Sequence, residues 1–303
     1  MRTLSDVERA GLVSLFRDVS PLDYVPEPAL PPPWLAGLEK APLPHRPRAI
    51  LFDLYGTLFA SAAGGDPGIA GTGTATAKTG DAARRLLEGE LLAGGYRRGV
   101  GAFTDDVARH VVEMRDRALE RHPFPEIDIE EILGSLLPDL GAAARRRLAI
   151  LHEAWRNPCA LMPGAPAILG RLRREGIRLG IVSNAQFYTP LLFEALFGAD
   201  PQESGFETML TVYSFETGIA KPDGEIFARA AAPLLAAGLS PSDILVVGNS
   251  AANDVAPAAA FGFMTALFAG DGRSFRPAAM AAEGRPDILL AGLDGLGASL
   301  PPA

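Results

Sequence analysis

The chain is poor in the side chains that carry thiol and imidazole chemistry: 303 residues include one cysteine, Cys159, and four histidines. A solitary thiol closes no internal disulfide and fits a reducing compartment, so a cytoplasmic location is expected. His45, His110, His122 and His152 stand in no recognisable nucleophile context, and Cys159 is read as a packed thiol, not a catalytic one. A basic excess is also missing. Formal net charge is -8, with none of the cationic footprint that offsets nucleic-acid phosphate, so no nucleic-acid partner is expected. A few local cations suffice to capture a small anion, so the acidity does not exclude an anionic substrate. No apolar run is long enough to span a bilayer. The longest uncharged one, 255–270, holds Pro257 and two glycines. Asp6, Glu8 and Arg9 interrupt any export signal at the start. No membrane partner is expected, and nothing in the sequence addresses oligomeric state.

What is present reads as a globular α/β protein, with 48% hydrophobic and 21% charged residues. Residues 4–16 carry apolar residues at helical spacing, with Ser5 as a cap and Glu8 three positions on. Nine prolines between Pro21 and Pro47 predict an extended arm without regular structure. Strand-like runs follow at 49–54, 178–182, 208–213, 244–247, 264–268 and 287–290, with helical patterns such as 165–175 and 224–237 among them. Short apolar runs alternating with helices predict a doubly wound, parallel, Rossmann-like sheet. Residues 62–160 show no strand but four amphipathic stretches, at 81–92, 104–120, 129–137 and 142–155. The expected division is an N-terminal helix and Pro-rich arm (1–46), an α/β core (47–61 and 160–303) and an inserted α-helical cap domain (62–159). The glycine-rich stretch 64–80 imitates a phosphate-binding loop but lacks the second glycine, and is read as a hinge. The arginines at 145–147 are read as a solvated helix face.

Polar residues gather where the strands end. Asp53 closes the first run and is followed by the turn Gly56-Thr57, whose backbone N–H groups are expected to face a bound anion. Ser183-Asn184 follows the second strand, Lys221-Pro222 lies in the loop after the third, and Gly248-Asn249-Ser250 with Asn253-Asp254 follows the fourth. In a parallel sheet these ends converge on one crevice, the usual ligand site of open α/β folds. A helical insert after the first strand lies over that crevice and can exclude water from it.

Four motifs in this order resemble the haloacid dehalogenase superfamily of hydrolases over about 49–295, with the insert placed like a C1-type helical cap. They are Phe52-Asp53-Leu54-Tyr55-Gly56-Thr57-Leu58, Val182-Ser183-Asn184, Ala220-Lys221-Pro222-Asp223, and Val247-Gly248-Asn249-Ser250-Ala251-Ala252-Asn253-Asp254. The resemblance implies that Asp53 is a nucleophile forming a covalent aspartyl intermediate, with Thr57 among the catalytic residues. It implies that Ser183 hydrogen-bonds a small anionic substrate beside Asn184, Tyr55 and Gly56, and that Lys221 offsets charge. Asp254 then helps hold a metal or orients Lys221 and water. A Mg²⁺ ion would be held by Asp53, the Tyr55 carbonyl, Asn249 and Asp254.

Three departures divide the reaction class. Tyr55 stands where phosphatases of this kind carry a second aspartate that protonates the leaving group, and tyrosine there resembles the 2-haloacid dehalogenases. The fourth motif has the frame of the phosphatases and not the Ser-Ser-Asn-x-x-Asp of the dehalogenases, but Asn249 replaces the expected metal-binding aspartate, or Ser250 does if the acid is counted one place later. Phe227 stands where those dehalogenases place a tyrosine. The substrate-holding arginine of a dehalogenase has candidates in Arg84, Arg85, Arg97 and Arg98. The expectation adopted is Mg²⁺-assisted phosphoester hydrolysis, by analogy with the commoner activity. Carbon–halogen hydrolysis without metal is the near alternative, and a non-catalytic binding or regulatory protein on the same scaffold is the third.

Overall fold

The computed structural model describes residues 4–19, 25–62, 81–278 and 285–302, the Lys40 side chain excepted. The glycine-rich stretch 64–80 lies outside them. Strands β1 Ala49–Phe52, β2 Phe59–Ser61, β3 Cys159–Leu161, β4 Arg178–Ser183, β5 Phe206–Tyr213, β6 Ile244–Gly248, β7 Met264–Phe268 and β8 Ile288–Leu290 follow in chain order. Six of them form one parallel sheet in the order β5-β4-β1-β6-β7-β8. β2 and β3 pair separately as an antiparallel ribbon.

The apolar runs form a two-faced sheet because alternate residues pack on opposite sides. Ile50 and Phe52, Leu179 and Ile181, and Leu245 and Val247 share one core. Ala49 and Leu51, Val182, and Ile244 and Val246 share another. Phe52 lies opposite Ile181 on one side and Val247 on the other, so Asp53, Ser183 and Gly248 leave the sheet beside one another. The chain winds from β1 outward through β4 and β5, then returns to the far side of β1 for β6, β7 and β8. The direction of winding therefore reverses at β1, which places the crevice at that strand's carboxyl end.

Helix α1 (Asp6–Val19) begins where Ser5 Oγ accepts the Glu8 N–H at 3.2 Å. It buries Leu12, Val13, Leu15, Phe16 and Val19. Between β2 and β3 lie α2 (Asp81–Ala93), α3 (Gly99–Leu119), α4 (Ile129–Leu136) and α5 (Ala142–Arg156). The core helices are α6 (Ala165–Arg174), α7 (Thr189–Phe197), α8 (Ser214–Thr217), α9 (Gly224–Ala236), α10 (Ala256–Ala260) and α11 (Leu293–Ser299).

Two expectations are corrected. The proline-rich arm is not free of regular structure: 3₁₀ turns form at Pro33–Leu35 and Leu38–Lys40. Leu35 and Leu38 cover an apolar patch made by Val255, Leu267 and Leu289. Burying a leucine stabilises by about 1.5–3 kcal/mol, which offsets the ordering of so short a turn. The arginine run is not a solvated face either. Arg146 is 8% exposed, its guanidinium paired at 2.8 Å with both Glu8 of α1 and Glu130 of α4. Arg147 pairs with Glu90, and Arg145 donates to the Leu140 carbonyl. Helical spacing alone does not show that three other segments pack against this face.

Candidate active site

The pairing of β1 with β6 continues one residue past the strand, where the Asp53 N–H donates to Val247 C=O at 3.0 Å. That bond fixes the Asp53 backbone at the head of the crevice. Lys221 Nζ donates to Asp53 Oδ1 at 2.7 Å and to Asp254 Oδ1 at 2.6 Å. Ser183 Oγ lies 3.2 Å from Asp53 Oδ1, and Thr57 Oγ1 donates to Asp53 Oδ2 at 3.3 Å. Asp254 Oδ2 accepts the Ser250 N–H at 3.0 Å. All five side chains are buried: Asp53 and Lys221 are each 6% exposed, Asp254 2%, Ser183 and Thr57 0%.

Two glycines let the pieces approach this closely. A Cβ on Gly248 would fall 2.2 Å from Asp254 Cγ, so only glycine lets Asp254 fold back over the end of β6. Asp254 itself sits in a wide π-type turn, Ala251–Val255, entered through the Ser250 side chain, which accepts the Asn253 N–H. Gly56 has φ +83°, and its Cβ would fall 2.4 Å from Asn249 Nδ2 and 2.6 Å from Ser274 Cβ.

The electrostatics follow from the burial. Desolvation raises Asp53 to about 6, against the attraction of Lys221. Burial works to lower Lys221, but the carboxylates of Asp254 and Asp53 outweigh it and hold the ammonium above its ordinary value. At neutral pH the site thus holds one cation between two carboxylates.

Five of the singled-out residues find partners that the motifs do not name, and Asn184 holds the site in position as expected. Asn184 is occupied by Lys221: its Oδ1 accepts the Lys221 N–H at 2.7 Å and its Nδ2 donates to the Lys221 carbonyl at 3.2 Å. Its amide is a two-sided clamp on the lysine's backbone. The Gly56 and Thr57 N–H groups do not form an anion cradle, because they donate to Phe59 C=O at 2.7 Å and Leu54 C=O at 3.1 Å. The turn closes on itself. The Tyr55 hydroxyl, 3.0 Å from Thr189 Oγ1, lies in a buried pocket edge-on to Phe59. Burial first, and then the nearby Glu153, push that phenol well above its ordinary value. Asn249 Nδ2 donates to the Ser274 carbonyl at 2.5 Å, tying the loop after β6 to the loop after β7. Neither Thr189 nor Ser274 carries a sequence signal of this role, since both partnerships join segments distant in the chain.

The arginines 84, 85 and 97 lie at exposed positions, and Arg98 pairs with Asp106 at 2.5 Å. Cys159 is buried, with its thiol pushed well up by that burial. Away from the crevice, His122, Asp223 and Glu225 bring potential ligand atoms within 4.8 Å of one another. These groups are already bonded to their neighbours. His122 Nδ1 accepts the Phe124 N–H, which leaves the ring proton on Nε2 facing Asp223 at 3.3 Å, and Glu225 is held by Arg229.

The donor set at the crevice does not fit a Mg²⁺ ion well. Mg²⁺ binds through hard, charged oxygens in near-octahedral array. The two carboxylates share one ammonium through their Oδ1 atoms, their Oδ2 atoms accept Thr57 and Ser250, and the third acid is the neutral Asn249.

A buried aspartate, lysine and serine converging at the switch point of a doubly wound sheet is the arrangement of a Rossmann-like α/β hydrolase. The family model for haloacid dehalogenase-like hydrolases matches residues 47–262, and the chain belongs to that family. Among solved structures, a 2-haloacid dehalogenase from Pseudomonas syringae pv. Tomato DC3000 is 20% identical, with 84% of this chain and 97% of that chain covered at TM-score 0.51. A dehalogenase with an intermediate complex is 18% identical, covering 86% and 99% at TM-score 0.50. A HAD phosphatase from Thermococcus onnurineus is 21% identical, covering 82% and 95% at TM-score 0.48. The first two likenesses show the shared fold. No curated protein matches the sequence. Among the described residues no helix is long and apolar enough to cross a membrane.

Proposed function

We propose that this hydrolase uses Asp53 as a nucleophile on carbon and releases halide from a small halogenated acid, without a metal. The observation that carries the proposal is the Lys221 ammonium bridging Asp53 and Asp254 at 2.7 and 2.6 Å, with Asn249 in the place of a third acid. The geometry therefore favours the alternative over the phosphoester reaction expected from analogy. Charge points the same way. A phosphate dianion entering beside two carboxylates and one ammonium brings the buried site to a net charge of about −3, against about −2 for a carboxylate monoanion. Tyr55 adds a third reason: its hydroxyl is committed to Thr189 and holds its proton too tightly to serve as a leaving-group acid, and halide departs without one.

Asp53 Oδ2 is the attacking oxygen in this scheme, since Oδ1 already faces the ammonium and the Ser183 hydroxyl. A C–O bond forms as the carbon–halogen bond breaks, and the electron pair leaves with the halide. Water then adds to Asp53 Cγ, beside Lys221 and Asp254. The alkoxide leaves and takes one proton, a second is released, and Asp53 regains a carboxylate containing one water oxygen. Residues 62–159 act as a lid over this site, on a core of 47–61 and 160–303 preceded by an arm of 1–46. The single buried thiol supports a cytoplasmic setting.

A panel of 2-haloacids and phosphate esters, with and without Mg²⁺, tests the proposal. Metal-independent halide release is expected. Metal-dependent phosphate release would select the phosphoester reaction. No turnover on any substrate, with Asp53→Asn retaining the biological role, would select the binding protein.

A further inference from the structure

Residues 124–126, between α3 and α4, run antiparallel to residues 218–220, the stretch that leads into Lys221. The Glu126 N–H donates to Gly218 C=O and the Ala220 N–H to Phe124 C=O, both at 2.9 Å, with Pro125 paired to Ile219. Gln186, two residues beyond Asn184, reaches the same segment. Its Nε2 donates to Glu126 Oε1 at 3.0 Å and to Ile127 C=O at 2.8 Å, and its Oε1 accepts the Ile129 N–H at 3.0 Å.

The Glu126 carboxylate closes the arrangement. Its second oxygen accepts the hydroxyl of Ser214, a fully buried side chain. Ser214 has one proton to give, and its oxygen accepts the Ala185 N–H at 2.8 Å. A directed chain therefore runs from the backbone beside Asn184, through Ser214, to an acid on the insert. Asn184 clamps the Lys221 backbone from both sides. Two routes thus connect Glu126 to the lysine: one through Ser214 and Asn184, the other through the ribbon at 218–220.

We propose that Glu126 is a positioning residue, whose contacts with Ser214, Gln186 and Gly218 hold the loops carrying Asn184 and Lys221. The Lys221 ammonium then meets both Asp53 and Asp254 only when the 124–129 segment of the insert is seated. Its catalytic consequence rests on the roles given above to Asp53 and Lys221, whereas the mechanical coupling does not. A buried hydrogen bond to a charged acceptor is worth enough that losing it loosens what it holds about tenfold or more.

The test uses the full-length chain with Glu126→Gln, Glu126→Ala and Gln186→Ala, and as a control Arg171→Ala, at the end of α6 that leads into the start of β4. Hydrogen exchange at the Ala220 and Lys221 amides is expected to quicken about tenfold in the first three variants and not in the control. With a turned-over substrate, kcat is expected to fall about tenfold with KM changed less than about twofold. The acid limb of the rate profile should also move upward, because Asp53 loses part of its cation, which a merely smaller folded fraction would not produce. Wild-type exchange at both amides in every variant would overturn the proposal. If Glu126→Ala does not fold, the near-isosteric Glu126→Gln decides. If wild type turns over no substrate, the functional proposal fails and the exchange result still judges the coupling.

Discussion

Lys221→Met removes the ammonium that bridges Asp53 and Asp254 and keeps most of the side chain's volume. The three side chains are only 2–8% exposed, so solvent screens them little. Two unit charges about 4 Å apart attract by about 4 kcal/mol at an effective dielectric near 20, and this ammonium has two such partners. Without it, two buried carboxylates face each other, and breaking a buried pair costs about 3–5 kcal/mol while the orphaned charge persists. Proton uptake relieves part of that. Burial already raises Asp53 to about 6, and losing the cation moves it higher. A carboxyl whose folded value lies above its unfolded one binds protons more tightly when folded, so stability falls as pH rises through the folded value. The variant should therefore lie within about 1 kcal/mol of wild type at pH 5 and about 3 kcal/mol or more below it at pH 8. Urea unfolding at the two pH values reads this directly. A deficit equal at both, or absent, would refute the account of the ion triad.

Other outcomes follow from the same geometry. The rate profile kcat/KM should fall about tenfold per pH unit below an acid limb near 6, where Asp53 takes up its proton. Asn184→Ala frees the Lys221 backbone from both sides and should lower kcat roughly 10–100-fold, with KM less affected. Gly56→Ala forces a Cβ against Asn249 and Ser274 at positive φ, and should lower unfolding free energy by about 2–4 kcal/mol in a denaturant titration.

The parallel sheet and its core helices were legible because each strand is a short apolar run and each helix keeps its period. α9, expected at 224–237, forms at Gly224–Ala236, and α4, expected at 129–137, forms at Ile129–Leu136. The meeting of Asp53, Ser183, Lys221 and Asp254 was legible because polar residues at and beyond the carboxyl ends of parallel strands converge on one crevice. β2 and β3 are not legible, because three residues each carry no period. What the motifs did not convey is who satisfies whom. Asn184 turns to the lysine's backbone, Tyr55 to Thr189, and Arg146 into a junction of three helices, all through partners set by tertiary packing. The Gly56-Thr57 turn looks like an anion cradle until its N–H groups are paired with Phe59 and Leu54.

The most direct test of Asp53 as a nucleophile on carbon is one turnover, enzyme in excess, in ¹⁸O-labelled water. Water that attacks Asp53 Cγ leaves its oxygen in the enzyme, so the account predicts label in the peptide containing Asp53 and none in the first product released. Label passing straight into product, with the Asp53 peptide unlabelled, would contradict it.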